Sequence, residues 1–163
     1  MNIDGLSTAV RRASQRIEIP ALVQAIYADL EIQIAQRRPV CVVSGRCCRF
    51  DEFGHRLMVT TLELAAFVSQ LEKAPRSTAT ASTGAGDGKG CPFQVKGLCG
   101  VHAIRPFGCR VFFCDATSID WQSKQYEHFH GQLKLLHDDL DVPYFYVEWR
   151  AALAECKIMK DEG

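Results

Sequence analysis

Seven of the eight cysteines in this chain lie in two short clusters, and any fold must accommodate that distribution. The first cluster occupies the sequence CVVSGRCC, and the second runs from CPF to FFC. Thiols gathered in this way act as metal ligands, redox-active groups, disulfide partners or small buried apolar side chains. The clustered cysteines are Cys41, Cys47, Cys48, Cys91, Cys99, Cys109 and Cys114.

The N-terminal sequence carries no signal that would take these thiols into an oxidising compartment. Residues 1–20 contain two early arginines but no continuous apolar run after them, and no later segment is long enough to span a bilayer. We therefore expect a cytoplasmic protein that does not enter a membrane, in an environment where disulfides do not persist. In that setting, clustered cysteines indicate metal ligands or redox thiols before a disulfide framework.

Composition narrows the choice of partner. The chain has 163 residues, of which 47% are hydrophobic, which is typical of a single globular domain with its own core. Lys plus Arg and Asp plus Glu number 19 each, so the formal net charge is zero. This balance gives no indication of a nucleic-acid partner, and the partner that we expect is a metal ion.

The first part of the chain, residues 1–40, is predicted to be helical. Apolar residues recur at spacings of three and four between about residues 7 and 38. Pro20 interrupts this pattern and predicts two helices, or one that kinks or restarts there. Pro39 predicts the end of the second helix, because the residue before a proline is steered out of the helical region.

The middle of the chain, residues 41–115, is predicted to hold the metal-binding region within mostly irregular structure. The sequence RLMVT indicates a short strand, and TTLELAAFVSQLEKA indicates a helix that begins with a capping box formed by Thr60 and Glu63. Residues 76–90 are small, polar and glycine-rich, which predicts a mobile loop. A short hairpin is predicted around Lys96-Gly97.

Residues 116–163 are predicted to return to helices, the last of which is YFYVEWRAALAECKIM. The chain is therefore predicted to be one cysteine-cluster domain of the α+β class. We expect a small, mostly helical domain around an irregular, cysteine-rich metal-binding centre with a short hairpin.

Zinc and iron–sulfur clusters are the metal centres that clustered thiols favour, because soft sulfur matches these metals. Structural zinc takes four ligands and a cubane cluster takes four cysteines, so seven thiols allow two centres, or one centre with other thiols beside it. Cys47 and Cys48 are adjacent, and their side chains diverge in extended backbone. In a tight turn they could serve two metals or opposite sides of a polynuclear cluster.

Both cysteine clusters are similar to those of the CxxCxxCC cysteine-cluster family, described as zinc- or iron-chelating domains. The first half of that signature falls on Cys41, Ser44, Cys47 and Cys48. The second half falls on Cys91-Pro92-Phe93, Cys99, Arg105-Pro106 and Cys109-Arg110, with Cys114 after it. The resemblance covers about residues 41–115 and implies metal chelation by these cysteines, but no reaction.

Ser44 departs from the family signature, because it stands where the family has its second cysteine. A site that needs all eight thiols cannot form here, and Cys156 does not obviously replace the missing one. Ser44 is therefore a weak ligand, or the site has an open coordination position, or one of two metals is lost. His102 is a further candidate ligand, and Arg105 and Arg110 could offset the negative charge of metal-bound thiolates.

Three hypotheses about function follow from these residues. The first is a metal-binding protein that holds zinc or an iron–sulfur centre for structure, electron transfer or metal handling. The second is an enzyme that uses an open metal position. The third is a thiol redox sensor in which Cys47 and Cys48 respond to oxidant. The sequence identifies no catalytic residue or substrate, so whether the chain is an enzyme stays open.

Overall fold

A computed structural model describes residues 3–74 and 89–158 of the chain. This part is mostly helical, with two small two-stranded sheets. The helices are α1 (Leu6–Ser14), α2 (Glu18–Arg37), α3 (Phe50–Phe53), α4 (Thr61–Lys73), α5 (Phe107–Val111), α6 (Ile119–Leu140) and α7 (Trp149–Glu155). The strands are β1 (Met58–Thr60), β2 (Gln94–Val95), β3 (Leu98–Cys99) and β4 (Tyr146–Glu148), and 3₁₀ turns occur at Arg46–Cys48, His102–Ile104 and Ala116–Ser118.

The two N-terminal helices are those that the sequence predicts. The break precedes Pro20, because α2 begins at Glu18 and the proline lies in the first helical turn. A proline is tolerated there, since the first backbone N–H groups of a helix have no partner within the helix. The second helix ends at Arg37, and Arg38 takes a left-handed conformation with φ of 52° just before Pro39.

The predicted helix after the first strand, α4, lies at the centre of the fold. Its capping box is present as predicted, with Thr60 and Glu63 bonded to each other through side chain and backbone. Leu64 and Phe67 on this helix belong to one apolar cluster, and Leu62 and Ala65 belong to another. Two separate cores therefore pack on opposite faces of one helix.

Each small sheet is an antiparallel pair. The predicted strand, β1, pairs with β4 in the register Met58↔Glu148 and Thr60↔Tyr146. The last helix was predicted to begin within YFYVE, and that boundary is wrong, because this aromatic and β-branched stretch pairs with β1 and α7 begins only at Trp149. The predicted hairpin is confirmed, and Lys96 and Gly97 both have positive φ at its turn, as a type I′ turn requires.

Two further predictions can be compared with the described residues only. The loop predicted over residues 76–90 lies outside them, apart from residues 89 and 90. Within residues 3–74 and 89–158, none of the helices is long and apolar enough to cross a membrane.

Candidate metal centre

The structure brings five of the seven clustered cysteines together. The thiol of Cys48 lies within hydrogen-bonding reach of the thiols of Cys47, Cys91 and Cys99. Cys109 lies nearby and is partly buried, and its pKa is raised because its thiol is removed from water and neighbouring thiolates are negatively charged. We call this group the thiol cluster: Cys47, Cys48, Cys91, Cys99 and Cys109.

A close backbone approach joins the two parts of the thiol cluster. The backbone N–H of Cys91 donates to the carbonyl oxygen of Cys48 over 2.7 Å. A Cβ atom at Gly90 would lie 2.7 Å from the same oxygen, nearer than side-chain carbons come to a backbone atom. Only glycine at position 90 lets the second cysteine segment lie this close to the first.

The β2–β3 hairpin is held against the 3₁₀ turn that carries Cys47 and Cys48. The side-chain amide of Gln94 donates to the carbonyl oxygens of Gly45, over 3.1 Å, and of Gly97, over 3.0 Å. Gly45 has φ of 69°, and a Cβ atom there would lie 2.0 Å from the Gly97 oxygen. Glycine is therefore required at position 45 both by its conformation and by its contact.

We expect Gly45→Ala to lower the free energy of unfolding by roughly 3 kcal/mol or more, because a left-handed conformation and a steric overlap act together. Gly54→Ala is the matched control, since Gly54 has φ of 66° but no atom within 4 Å of its Cβ position. That control should cost only about 1 kcal/mol, the usual penalty for the conformation alone. Urea unfolding measures both, and equal losses would contradict the contact described at Gly45.

Hydrogen bonds from Cys48 control the charge of its neighbours. Cys48 has one thiol proton for its three sulfur neighbours, and a hydrogen bond from it is the first cause of a pKa lowered to about 6 at Cys47 and to about 7 at Cys99. The same thiol is the first cause of a lowered pKa at Cys91. The pKa of Cys48 itself is raised, because its proton serves these neighbours, first of all Cys47. Cys48 therefore favours the thiolate form of its neighbours while it keeps its own proton.

Two buried donors beside the thiol cluster have no regular hydrogen-bond partner among the described residues: Arg105 Nε and Trp149 Nε1. Trp149 nevertheless lies close enough to the sulfur of Cys91 to lower its pKa. The positive charge of Arg105 contributes to the lowered pKa values of Cys47 and Cys99. An unpartnered buried donor costs about 1–3 kcal/mol, so these groups favour negatively charged sulfur beside them.

A buried carboxylate positions the segment that carries Cys109. One oxygen of Glu63 accepts a hydrogen bond from the backbone N–H of Phe107 over 3.0 Å, and the other accepts from the backbone N–H of Thr60 over 2.8 Å. Glu63 therefore joins the start of α4 to the start of α5. The capping-box pattern identifies this glutamate, but no local pattern identifies its bond to a residue so far along the chain.

Cys41 and Cys114, the remaining predicted ligands, are both exposed. Their neighbours are in contact, since the backbone N–H of Val40 donates to a carboxylate oxygen of Asp115 over 3.2 Å. Within the described residues, neither thiol makes a hydrogen bond or an ionic contact with the thiol cluster. The role predicted for these two cysteines stays a prediction.

The other candidates from the sequence take different positions. His102 is exposed, and its Nε2 contacts the guanidinium of Arg105. Arg110 is buried and donates to the carbonyl oxygens of Arg105 and Ala103 rather than to sulfur. Ser44 is exposed, and its hydroxyl accepts a weak hydrogen bond from the backbone of the same turn. Arg105 is therefore the arginine whose charge acts on the thiols.

Sequence reasoning did not identify Trp149 as part of this site. It lies far from both cysteine clusters along the chain, at the start of α7, and reaches the thiols only because β4 pairs with β1. It is 1% exposed and packs edge-to-face on Phe67 in the core. An indole in a hydrophobic pattern gives no sequence signal that its N–H faces sulfur.

The thiol cluster is not arranged as a ready metal cage. Among residues 3–74 and 89–158, no three or more histidine, cysteine, aspartate or glutamate side chains are grouped so that they could hold a metal ion as they stand. The Cys48 thiol nevertheless lies near three other thiols, so the cluster gathers sulfur atoms without presenting a ready metal site.

Comparisons with protein-family models, with curated proteins and with solved structures find no match to this chain. The resemblance to the CxxCxxCC family therefore stays a prediction that rests on the motifs alone.

Proposed function

We propose that this chain binds a thiophilic metal through the thiol cluster, as zinc or as an iron–sulfur centre. The observation that carries the proposal is the contact of the Cys48 thiol with three other thiols. A thiol has one weak donor proton, so it cannot satisfy three sulfur neighbours at once. Four deprotonated sulfurs around a metal would all be bonded, which is the usual ligand set of structural zinc and of cubane clusters.

The charges and donors around the cluster support this proposal. Metal ligands must be deprotonated, and the pKa values of Cys47, Cys91 and Cys99 are already lowered. Cys48 is the one of these four whose pKa is raised, so its proton is the one that metal binding must displace against its surroundings. Metal binding would also require small rotations of the thiol side chains about their Cα–Cβ bonds, so that the sulfurs face a common point.

The two buried donors beside the cluster give the proposal a second line of support. Four thiolates around a dication leave a net negative charge, which N–H groups and a guanidinium stabilise when they face the sulfurs. The Nε of Arg105 supplies a cationic donor and the Nε1 of Trp149 a neutral one, and neither atom has a regular partner among the described residues. Cys109 would then be a fifth thiol, available as an exchangeable ligand or as a neighbour to the centre.

Metal analysis and an absorption spectrum of anaerobically prepared protein test this proposal. We expect stoichiometric zinc in colourless protein, or iron and sulfide in brown protein. Cys91→Ser should lose most of the bound metal, since a serine hydroxyl is a poor ligand for these metals. Cys156→Ser is the matched control, because burial raises the pKa of that thiol to about 11 and it is not among the clustered cysteines.

Two results would overturn the proposal. One is folded, metal-free protein that takes up neither zinc nor an iron–sulfur centre on reconstitution. The other is equal metal content in wild type and Cys91→Ser. If the metal-free protein instead loses thiols with peroxide, and Cys47→Ser abolishes that loss without unfolding the chain, the thiol redox sensor becomes the better hypothesis.

A further inference from the structure

A cavity of about 470 Å³ lies beside the thiol cluster. Residues from β1, α5, α6 and β4 form its walls, and Cys47 and Cys109 of the thiol cluster line it as well. Its volume falls within the range of about 300–1,000 Å³ that is typical of small-molecule sites. The proposed metal binding does not require this cavity. The residues that line the cavity must therefore indicate which ligand it binds.

One wall of the cavity is flat and aromatic. The ring of Phe112 stacks on the ring of His55, with centroids 5.1 Å apart and an angle of 19° between the planes. Phe50 packs edge-on against the same imidazole, with centroids 5.4 Å apart. The Phe112 side chain is 38% exposed, so part of its ring is open to contact. Such a wall favours a planar aromatic ligand, which gains both apolar contact and offset stacking.

A pair of tyrosines supplies a hydrogen-bond donor on the cavity wall. The hydroxyl groups of Tyr126 and Tyr146 hydrogen-bond to each other, and both residues line the cavity. Two phenols carry two protons, and one hydrogen bond between them uses only one. The other proton has no partner among the described residues. Burial raises the pKa of Tyr126, which keeps this phenol protonated at neutral pH.

The same cavity offers a ring nitrogen for a second hydrogen bond. His55 Nε2 lies 3.2 Å from the carbonyl oxygen of Cys47, and a carbonyl only accepts, so Nε2 is the donor in this bond. The other ring nitrogen, Nδ1, has no partner among the described residues. Arg56 and Glu127 also line the cavity, one positive and one negative, so formal charge selects neither cations nor anions.

From this lining we infer that the cavity binds a small, neutral, planar aromatic molecule that carries a hydroxyl group, held beside the thiol cluster. The hydroxyl can accept from the tyrosine pair or hydrogen-bond to Nδ1 of His55, since a hydroxyl both donates and accepts, while the ring lies against Phe112. The inference does not depend on the metal, because every group in it belongs to the protein chain. It goes beyond metal binding by giving the site a class of ligand.

Three matched probes test this inference: phenol, toluene and cyclohexanol. Toluene keeps the shape of phenol without its hydroxyl, and cyclohexanol keeps the hydroxyl without the planar ring. We expect saturable binding of phenol with a dissociation constant on the order of millimolar, as suits so small a ligand. Toluene should bind about fivefold more weakly, the net contribution of one hydrogen bond. Cyclohexanol should be weaker by a similar factor, since it cannot stack.

A variant at the cavity wall locates the site. Ser123 is exposed on α6 and lines the cavity, so Ser123→Phe should place a bulky ring at the cavity wall without replacing a residue of either core. We expect phenol binding to fall at least about tenfold in that variant. It should be unchanged in Ser123→Ala, which loses the same hydroxyl but adds no bulk. Thermal unfolding of both variants shows whether the fold is intact.

Nuclear magnetic resonance titration of the full chain measures these affinities and identifies the residues whose signals move. Binding that moves signals of Phe112 and Tyr146 and is lost in Ser123→Phe supports the site. No saturable phenol binding, or equal binding in folded Ser123→Phe, overturns it. If toluene or cyclohexanol binds as tightly as phenol, the inferred class of ligand is wrong. The titration is repeated on metal-free protein. Phenol binding to that protein supports the inferred ligand site even if the proposed metal binding proves wrong.

Discussion

Replacing Glu63 by alanine is expected to lower the free energy of unfolding by about 3–5 kcal/mol, because two buried backbone donors lose their acceptor. These donors are the N–H groups of Thr60 and Phe107, which the two carboxylate oxygens now accept from. The side chain is 3% exposed, so water cannot replace it without opening the structure. Chemical denaturation of the variant and the wild type measures the loss.

The control for Glu63→Ala is Glu72→Ala on the same helix, because Glu72 is exposed. Both variants replace a glutamate of α4 by alanine, so the change in helix propensity is the same. The control should change the free energy of unfolding by less than about 0.5 kcal/mol. Equal losses would show that the buried bonds to Thr60 and Phe107 contribute little. A large loss of stability in Glu63→Ala alone would also show that the bond to Phe107 fixes the position of α5, the helix that carries Cys109.

The charge of Glu63 gives stability a dependence on pH that its amide analogue should lack. Burial raises the pKa of this carboxyl above 4.5, the ordinary value of a glutamate side chain in water. Between the pKa of the unfolded state and the higher pKa of the folded state, the folded protein holds a proton that the unfolded chain has released. The free energy of unfolding therefore falls as pH rises through this range. In Glu63→Gln this fall should be absent. The stability difference between wild type and variant should therefore shrink with rising pH, and a difference independent of pH would contradict the shifted pKa.

Local patterns in the sequence predicted the local elements well. Two helices before Pro39, the capping box at Thr60 and the hairpin at Lys96-Gly97 all depend on neighbouring residues, whose preferences can be read directly. β4 could not be predicted in this way, because the stretch that holds Tyr146 is a strand only through its pairing with β1. Its aromatic residues fit either a helix face or a strand until the partner is known.

Which residues form the site is also difficult to predict from local sequence patterns. Spacing and density singled out seven cysteines, but spacing could not show which of them meet in space. The structure groups five and leaves Cys41 and Cys114 exposed. Close approach at Gly45 and Gly90 decides this grouping, and those glycines carry no motif that ties them to the thiols. Trp149 joins the site only through β-sheet pairing of distant segments.

Removing the metal should lower the stability of the loaded protein by about 4 kcal/mol if the free metal stands at roughly a thousand times its dissociation constant, because only the folded state presents the assembled thiols. Cys48→Ser should abolish this dependence, since Cys48 contacts three of the other thiols. Cys114→Ser is the matched control, because Cys114 is exposed and should leave the metal effect in place. Thermal unfolding with and without a chelator measures all three proteins.

Loss of metal should nevertheless leave most of the helices folded. Small zinc domains unfold without metal because they lack a core, whereas α4 here packs between two apolar clusters. Only Cys91, Cys99 and Cys109 of the thiol cluster also pack against the first of these cores as partly buried groups. Chelation should therefore speed amide exchange at the 3₁₀ turn and the β2–β3 hairpin while the far-ultraviolet spectrum keeps its helical signal. Complete unfolding on chelation would show that the metal, rather than the two cores, holds the domain together.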